Sequence, residues 1–588
     1  MEKIDGKEKS LRDLLQSKKY TLHYYQREYR WQRKHVEEMI DDLTTEFKNN
    51  YKPEHKREDV KKYGVYFMGS IVLAGNENAI IDGQQRLSSL TLLLIYLKNR
   101  QPSNVIDAMI FSEAYGTKSF NINVPERQAC MSAIYENKLD AFDTTNASES
   151  VKNLCARYND IAEIFPSDIT DAMIPYFCDW LAEKVYLMQI IAATEQDAHK
   201  IFVTMNDRGL SLTPTEMLKG YLLSEIADND LREKLNDLWK AEVLVLEKDT
   251  ETFIKDWLRA QYARNVSDYD AIGSAFHKWI RDEHIKLGLK TSADYAQFIK
   301  NFLHFAKIYR KIRDAEKNFA DTTKYIFYNA QLTFTMQTQM LMAPIFPDDD
   351  KSVVAQKINL TARFIDLLIN ARVTNYKRVE RNNIESYISG LTRDIRRLPI
   401  DKLKAKLKTR YDALKYNSAD AIRKLRLNQF TRKYIRSILA RITSFIEEQT
   451  DATPHYVDYM TSSRDPYEIE HIICNDYERY RAEFSRDEFD DWRDSIGALL
   501  LLRRSINASL SDSDYSQKLV KYCSTDGNIY AASLGEQTYR NNPRFKNFVA
   551  ENNLSFESFE KFGKAEIQRR VELIVQLTNL IWNTEEFQ

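Results

Sequence analysis

The stretch that decides the fold of this chain is NAIIDGQQRLSSLTLLLIYL, Asn78–Leu97. An apolar run ends at Asp82 and Gly83, two glutamines and an arginine follow, and a strongly apolar segment then begins. This order predicts a strand, a tight turn at Gly83 and a helix from about Gln84 to Asn99. The start of such a helix presents free N–H groups and the positive end of the helix dipole, which attract phosphate. The stretch therefore predicts either a phosphate cradle or an ordinary strand-to-helix turn with a capping aspartate.

The side chains of this turn suit an anionic ligand. Gln84 and Gln85 offer amides, and Arg86 offers a planar fork of donors that matches two phosphate oxygens. Asp82 can hold a metal ion or orient a water molecule. The turn is not a Walker loop, because the spacing G-x-x-x-x-G-K-[ST] does not occur here.

An arginine-rich aromatic cluster, YYQREYRW at Tyr24–Trp31, precedes this turn in the chain. Its Gln26, Arg27 and Arg30 stand among aromatic residues, a combination that can stack a base as well as bind phosphate. The structural alternative is the edge of an aromatic core.

A second polar turn lies in TMNDRGLSLTPTEMLKGYLL, which begins at residue 204. Asn206 and Arg208 belong to the predicted turn. Thr213 is the predicted cap of the following helix, and Glu216 is its capping-box partner. The structural alternative is a plain helix–turn–helix corner.

The composition predicts a mainly helical protein of several domains. Gly (15) and Pro (12) are scarce in 588 residues, and the length suggests three or four domains. No apolar run approaches the ~18 residues of a membrane helix, and the first residues lack the apolar segment of a secretory signal. The five cysteines are scattered without a C-x-x-C pair. We therefore expect a cytoplasmic protein without disulfides or structural zinc.

The net charge of −1 conceals an uneven distribution. Residues 371–441 contain 20 Lys and Arg against 6 Asp and Glu, a net charge of +14, so the rest of the chain carries −15. A local basic block of this size is what contact with a nucleic-acid backbone requires. The alternative is a solvated helical face that is matched to an acidic neighbour.

A possible catalytic pair lies near the C-terminus, in YEIEHII at Tyr467–Ile473. Glu470 and His471 are neighbours at a predicted strand end, so their side chains point to opposite faces. Asn507 follows at a predicted helix start. A carboxylate and a carboxamide are hard oxygen ligands for Mg²⁺, and a neighbouring histidine can deprotonate water for attack on phosphorus. A surface or structural role for the pair is the alternative.

The N-terminal motifs, taken together, resemble a known family. YQREYRW, FMGSIVL, IIDGQQRLSSLTLL and IFVTMNDRGLSLTPTEMLKGYLL occur in this order over about residues 1–225 and are similar to the N-terminal domain of GmrSD-type restriction enzymes. That domain resembles the ParB nucleotide-binding fold. The resemblance implies a nucleoside-triphosphate site whose members are Asp82, Gly83, Gln84, Gln85, Arg86, Gln26, Arg27, Asn206 and Arg208. Nucleotide binding or hydrolysis in this family usually gates the nuclease.

The C-terminal pattern resembles the HNH (ββα-metal) nuclease domain that closes GmrSD-type enzymes, over about residues 465–525. The resemblance implies that His471 is the general base, that Glu470 and Asn507 are metal ligands for Mg²⁺ or Mn²⁺, and that Lys518 contacts the phosphate. Two positions depart from the family. Ala498 replaces an asparagine that steadies the loop holding the base, and Cys474 replaces a common proline. A Cys474–His471 nucleophile is disfavoured by the geometry of a strand.

The predicted fold is mainly α, with a small α+β ParB-like N-terminal core and a C-terminal ββα-metal motif embedded in helices. The predicted domains are a nucleotide-binding sensor domain (1–228), a helical middle region (229–445) and an HNH nuclease domain (446–588).

The predicted function is a nucleotide-regulated, metal-dependent DNA endonuclease of bacterial anti-phage defence, with NTPase activity. The expected partners are DNA, chiefly modified phage DNA, and a second copy in a homodimer, but no membrane. Three alternatives remain: an NTP-dependent DNA-binding switch with an impaired HNH domain, a toxin-like nuclease acting on unmodified host nucleic acid, and a purely structural helical scaffold.

Overall fold

The computed structural model of the chain describes residues 5–22, 29–74, 78–114, 117–145, 147–192, 197, 201, 213–450, 452–510, 512–524 and 528–588. The chain divides into two compact units. The first contains Met1–Glu247 and Ala275–Lys300, and the second contains Lys248–Ser274 and Asn301–Gln588.

The first unit is built on a mixed six-stranded sheet. Its strands follow the order β1-β8-β3-β4-β2-β7, and β5 pairs with β6 in a separate hairpin. The pair β3–β4 is antiparallel, whereas β4 runs parallel to β2, and β3 parallel to β8. The strands are β1 (Asp5–Ser10), β2 (Tyr20–Leu22), β3 (Tyr66–Ala74), β4 (Ala79–Asp82), β5 (Phe111–Ala114), β6 (Thr117–Phe120), β7 (Ile122–Asn123) and β8 (Val185–Ala192).

One helix of the first unit, α3, is buried around most of its circumference. From Leu87 to Leu97 almost every side chain is closed to solvent, which explains why its sequence is apolar on all sides. The helices of this unit are α1 (Leu11–Leu15), α2 (Arg33–Asn50), α3 (Gln84–Arg100), α4 (Asn104–Ile110), α5 (Gln128–Tyr135), α6 (Glu149–Ile164), α7 (Ile174–Lys184), α8 (Pro214–Ser224) and α9 (Asn229–Leu246).

Two long helices cross the boundaries between the units, α11 (Val266–Glu283) and α12 (Ser292–Lys317). At Ala275, where the division falls, the backbone of α11 is not helical (φ −153°, ψ 64°). The other helices up to residue 461 lie in the second unit: α10 (Thr250–Gln261), α13 (Lys324–Gln331), α14 (Gln337–Met342), α15 (Lys351–Thr374), α16 (Arg381–Ile395), α17 (Ile400–Asp412), α18 (Ser418–Arg423), α19 (Arg432–Gln449) and α20 (Tyr456–Thr461).

The C-terminal part of the second unit contains a two-stranded antiparallel ribbon. Strands β9 (Tyr467–His471) and β10 (Leu499–Arg503) form it, and helix α23 follows β10 directly. The helices of this part are α21 (Tyr477–Tyr480), α22 (Arg486–Arg493), α23 (Arg504–Leu510), α24 (Tyr515–Tyr522), α25 (Ile529–Ala532), α26 (Glu536–Asn541), α27 (Pro543–Glu551) and α28 (Lys564–Ile581).

Several local predictions are confirmed. The chain is mainly helical, the apolar run before Gly83 forms strand β4, and the helix after the turn begins at Gln84. Thr213 caps α8, and the Glu216 side chain completes the capping box. Among the described helices, none combines the length and apolarity needed to cross a membrane.

The predicted domain boundaries at 228/229 and 445/446 remain predictions. The middle region 229–445 contributes residues 229–247 and 275–300 to the first unit and the remainder to the second. Residues 446–588 lie wholly in the second unit, together with most of that middle region.

The basic segment 371–441 divides into structural and exposed cations. Arg441 forms a buried ion pair with Asp366 (2.8 Å), and Arg396 donates to backbone carbonyls, including that of Ala263 (2.6 Å). These cations stabilise the helical packing and cannot meet a nucleic-acid backbone. The exposed cations of the segment include Lys377, Arg378, Lys402, Lys415, Lys424, Arg432 and Lys433.

A buried carboxyl on α10 predicts a pH-dependent stability. Asp256 is 7% exposed, and its carboxyl accepts a hydrogen bond from the Thr338 hydroxyl. Burial raises the pKa of Asp256 from its ordinary 3.8 to about 6, although the Thr338 bond and Arg259 oppose the shift. The folded protein therefore binds this proton more tightly than the unfolded chain does.

The contribution of Asp256 to the free energy of unfolding is therefore largest below pH 3.8. It falls as the pH rises to about 6. In Asp256→Asn the side chain cannot ionise, so this loss of stability does not occur. Its carboxamide oxygen can still accept the hydrogen bond from the Thr338 hydroxyl. We expect the variant to gain about 3 kcal/mol relative to the wild type across that window. Urea titrations at several pH values measure the difference, and stability curves that run parallel throughout would contradict the prediction.

Candidate functional site

The turn between β4 and α3 depends on the glycine at position 83. Gly83 caps α3 with φ +93°, a left-handed conformation that other residues rarely adopt. A Cβ at this position would lie 2.6 Å from Ile71 Cγ2. The turn therefore brings the start of α3 close against strand β3, with no side chain in between.

Gly83→Ala is expected to destabilise the first unit by about 1–3 kcal/mol, because the left-handed backbone and the contact with Ile71 both oppose a methyl group. Thermal unfolding measures this loss. Gly390→Ala, at a helical position where the nearest atom would be 3.9 Å away, is the matched control and should be neutral or stabilising. Equal melting temperatures for wild type and Gly83→Ala would refute the strain at this turn.

Arg86 belongs to the first turn of α3, and its side chain contacts strand β3. Its Nη1 donates to the Ser70 carbonyl (2.6 Å), and a Cβ at Gly69 (φ +102°) would lie 3.3 Å from the guanidinium. Burial lowers the pKa of Arg86, and Asp82 and Tyr66 oppose this shift. Gly69 thus leaves room for a partly buried cation beside the helix N-terminus.

Gln85 connects the turn to the last residues of the aromatic cluster. Its Oε1 accepts from the backbone N–H of Arg30 (2.9 Å) and of Trp31 (3.3 Å). The Arg30 guanidinium in turn lies 3.6 Å from the Glu216 carboxylate at the start of α8. The structure therefore brings three distant stretches of the sequence together around the turn.

Hydrogen bonds with helix α6 also hold residues 29–31 in place. The Tyr29 N–H donates to the Ser150 hydroxyl (2.8 Å), and Asn153 donates to the Tyr29 carbonyl (2.9 Å). Arg157 donates to the Trp31 carbonyl (3.1 Å). Sequence reasoning missed these anchors, because α6 lies more than 100 residues away and contains no motif.

The predicted nucleotide-site residues fall into two groups. Five are described: Asp82, Gly83 and Gln84 to Arg86 form the turn and the first residues of α3. The other four lie outside the described residues: Gln26, Arg27, Asn206 and Arg208.

Ribbon β9–β10 separates Glu470 and His471 as strand alternation predicts. His471 pairs with Leu499, and Glu470 pairs with Leu500. Because consecutive side chains of a strand point to opposite faces, only one of the two can enter the core. Glu470 is 6% exposed, whereas the His471 side chain is 19% exposed.

The buried Glu470 carboxylate belongs to a hydrogen-bonded cluster. Its Oε1 accepts from Lys518 Nζ (2.7 Å) and from the Tyr522 hydroxyl (2.9 Å). Lys518 also donates to the His471 carbonyl (2.6 Å) and is 1% exposed. Burial and the Glu470 charge raise the pKa of Tyr522 well above its usual range. Helix α24 therefore anchors the end of β9 through a buried ion pair.

The structure places Glu470 and Lys518 in a buried ion pair, and their predicted roles as metal ligand and phosphate contact stay predictions. The Lys518 ammonium group neutralises the Glu470 carboxylate at a distance of 2.7 Å. Lys518 is closed to solvent, and its amine is engaged by Glu470 and by the His471 carbonyl. Lys518 holds the backbone of His471 through its carbonyl, and Glu470 holds Lys518.

The carboxylate that faces His471 is Asp494, which directly follows α22. Its Oδ1 lies 2.9 Å from His471 Nε2, and its side chain is 33% exposed. Sequence reasoning missed Asp494, because it stands 23 residues after His471 among several acidic residues. Its position three residues before Gly497 was the only signal.

The loop that contains Ala498 is held without an asparagine side chain. The Ala498 carbonyl accepts from the Ile472 N–H (2.9 Å). The buried Arg570 of α28 donates to the carbonyls of Gly497 (2.8 Å) and Leu499 (3.3 Å). Backbone hydrogen bonds and Arg570 thus support the loop around Ala498. In the pattern that the sequence resembles, an asparagine side chain steadies this loop.

Asn507 is half-buried in α23, the helix that follows β10. Its carboxamide oxygen fits a hard divalent cation, and Mg²⁺ commonly uses one or two protein oxygens with waters and phosphate. Among the described residues, no group of three or more His, Cys, Asp or Glu side chains is placed to hold a metal ion. The role of Asn507 as a metal ligand stays a prediction.

Comparisons with family models match both ends of the chain. Residues 11–223 match the N-terminal domain of the GmrSD restriction endonuclease, and residues 415–577 match the C-terminal domain of GmrSD restriction endonucleases. The two matches define a restriction-type DNA endonuclease. The chain belongs to the GmrSD restriction endonuclease family. A comparison with curated proteins finds no match.

Proposed function

We propose that this restriction endonuclease hydrolyses DNA phosphodiesters at the open face of ribbon β9–β10, under the control of a nucleotide bound at the turn before α3. The observation that carries the proposal is the placement of His471. It is the one member of the Glu470–His471 pair that remains accessible, and its ring is held by a carboxylate 2.9 Å away.

His471 acts as the general base. When Nε2–H donates to Asp494, the lone pair of Nδ1 is free to take a proton from the attacking water. Asn507 would hold Mg²⁺ or Mn²⁺, which supplies charge stabilisation for the phosphate and leaving oxygen when bound. The Glu470–Lys518 ion pair holds the backbone of His471 in place through the bond from Lys518 to the His471 carbonyl.

The turn before α3 binds the nucleoside triphosphate. The helix start attracts negative charge, and Arg86 adds a cation whose burial strengthens its attraction for phosphate. Gln26, Arg27, Asn206 and Arg208 stay members of this proposed site. Hydrolysis of the nucleotide is part of the proposal, and so is bacterial anti-phage defence with modified phage DNA as the target.

The exposed lysines and arginines of segment 371–441 supply contacts to the DNA backbone. They lie in the same unit as the nuclease site. Several cations of the segment pair with groups of the protein itself. The net charge of +14 is therefore larger than the charge that the segment presents to DNA. We expect the salt dependence of DNA binding to reflect the exposed cations alone.

A cleavage assay tests the proposal. Purified protein is mixed with Mg²⁺ or Mn²⁺, with each of GTP, ATP, CTP and UTP in turn, and with glucosylated phage DNA, phosphorothioated DNA or plain plasmid. Cutting or nicking that depends on the metal and changes with one nucleotide is expected. Preference for plain host DNA would favour the toxin-like alternative, and binding without cutting on every substrate would favour the DNA-binding switch.

A further inference from the structure

We propose that Asp494 is the positioning residue for His471 and that it supplies the side-chain support that Ala498 lacks. This inference rests on the proposed role of His471 as the general base. Asp494 does not touch the DNA in this account. It acts through the histidine ring.

The contact itself has the geometry of a charge-assisted hydrogen bond. His471 Nε2 and Asp494 Oδ1 are 2.9 Å apart, within the range for an N–H donor and a carboxylate. A carboxylate can only accept, so the proton resides on Nε2, and the basic lone pair resides on Nδ1. One contact thus sets both the ring orientation and the nitrogen that acts as the base.

The backbone of Asp494 is fixed, which gives the contact a defined direction. Its N–H donates to the Asp490 carbonyl (2.9 Å), and its carbonyl accepts from the Leu427 N–H (2.8 Å). The next residue, Ser495, forms an antiparallel bridge with Arg426. A carboxylate on a backbone held from both sides can orient a ring, whereas one on a mobile loop cannot.

The ring of His471 needs such support, because the loop opposite it lacks the usual asparagine. At position 498 a methyl group makes no hydrogen bond, and Arg570 supports only the backbone of that loop. An incidental surface ion pair would have two mobile, exposed partners. Here both side chains are half-buried and the histidine backbone is clamped by Lys518.

Steady-state cleavage kinetics of three variants test the inference. Asp494→Ala removes the acceptor, Asp494→Asn keeps an acceptor oxygen, and Asp490→Ala changes an exposed carboxylate one turn earlier as the matched control. We expect kcat to fall on the order of 100-fold in Asp494→Ala. KM and melting temperature should stay near the wild type. Asp494→Asn should recover part of the loss, and Asp490→Ala should match the wild type.

Two results would overturn the inference: an unchanged kcat in Asp494→Ala, or a fall in kcat that tracks a lower melting temperature and is not relieved in Asp494→Asn. The proposed function fails differently, because the wild type would then not cleave at all or His471→Ala would cleave as the wild type does.

Discussion

His471→Ala is expected to lower the rate of DNA cleavage by about 100- to 10,000-fold, the usual contribution of a positioned general base. The side chain lies at the end of β9 and is 19% exposed, so the space left by its removal is open to solvent. DNA binding and the melting temperature should therefore change little. Rates measured under single-turnover conditions separate this chemical effect from product release.

The matched control is His455→Ala, at a half-exposed histidine of the same unit that contacts the Glu447 carboxylate. This variant should cleave at the wild-type rate. If His471→Ala cleaved DNA as fast as the wild type, catalysis would have to come from another site. If both variants lost activity, the loss would report on folding of the second unit.

Lys518→Met is expected to destabilise the second unit by about 3–5 kcal/mol, the largest stability effect predicted here. Removing one partner of a buried ion pair leaves the other charge buried without compensation. Glu470 would keep only the Tyr522 hydroxyl at its Oε1. Urea unfolding monitored by tryptophan fluorescence measures the loss.

The double variant Glu470→Gln with Lys518→Met separates a structural pair from a metal site. Because no buried charge remains, most of the lost stability should return. If Lys518→Met were as stable as the wild type, and Glu470→Gln alone abolished metal-dependent cleavage, Glu470 would be a metal ligand after all. That outcome would support the predicted role of Glu470.

Local rules were sufficient for the features that neighbouring residues decide. The turn at Gly83, the helix start at Gln84 and the capping box of Thr213 each depend on residues within a few positions. Strand alternation likewise separated Glu470 from His471. It could not say which of the two is buried, because that depends on Lys518, which is 47 positions from His471.

Partners that are remote in the sequence escaped prediction for the same reason. Asp494 and Arg570 reach the proposed nuclease site through tertiary packing, and neither belongs to a motif of its own. The charge of segment 371–441 was counted correctly from the sequence, yet a count cannot tell Arg441, paired with Asp366, from the exposed Lys402. Charge becomes a binding surface only after internal ion pairs are removed.

The most direct test of the account is the cleavage rate as a function of nucleotide concentration for wild type, Arg86→Ala and Arg100→Ala. Arg100 lies at the opposite end of α3 and pairs with Asp171 (2.9 Å), so it is the matched control. The account predicts that the wild type and Arg100→Ala respond to one nucleotide. Arg86→Ala should cleave at the nucleotide-free rate throughout. An Arg86→Ala variant that responds as the wild type does would contradict control by a nucleotide bound at this turn.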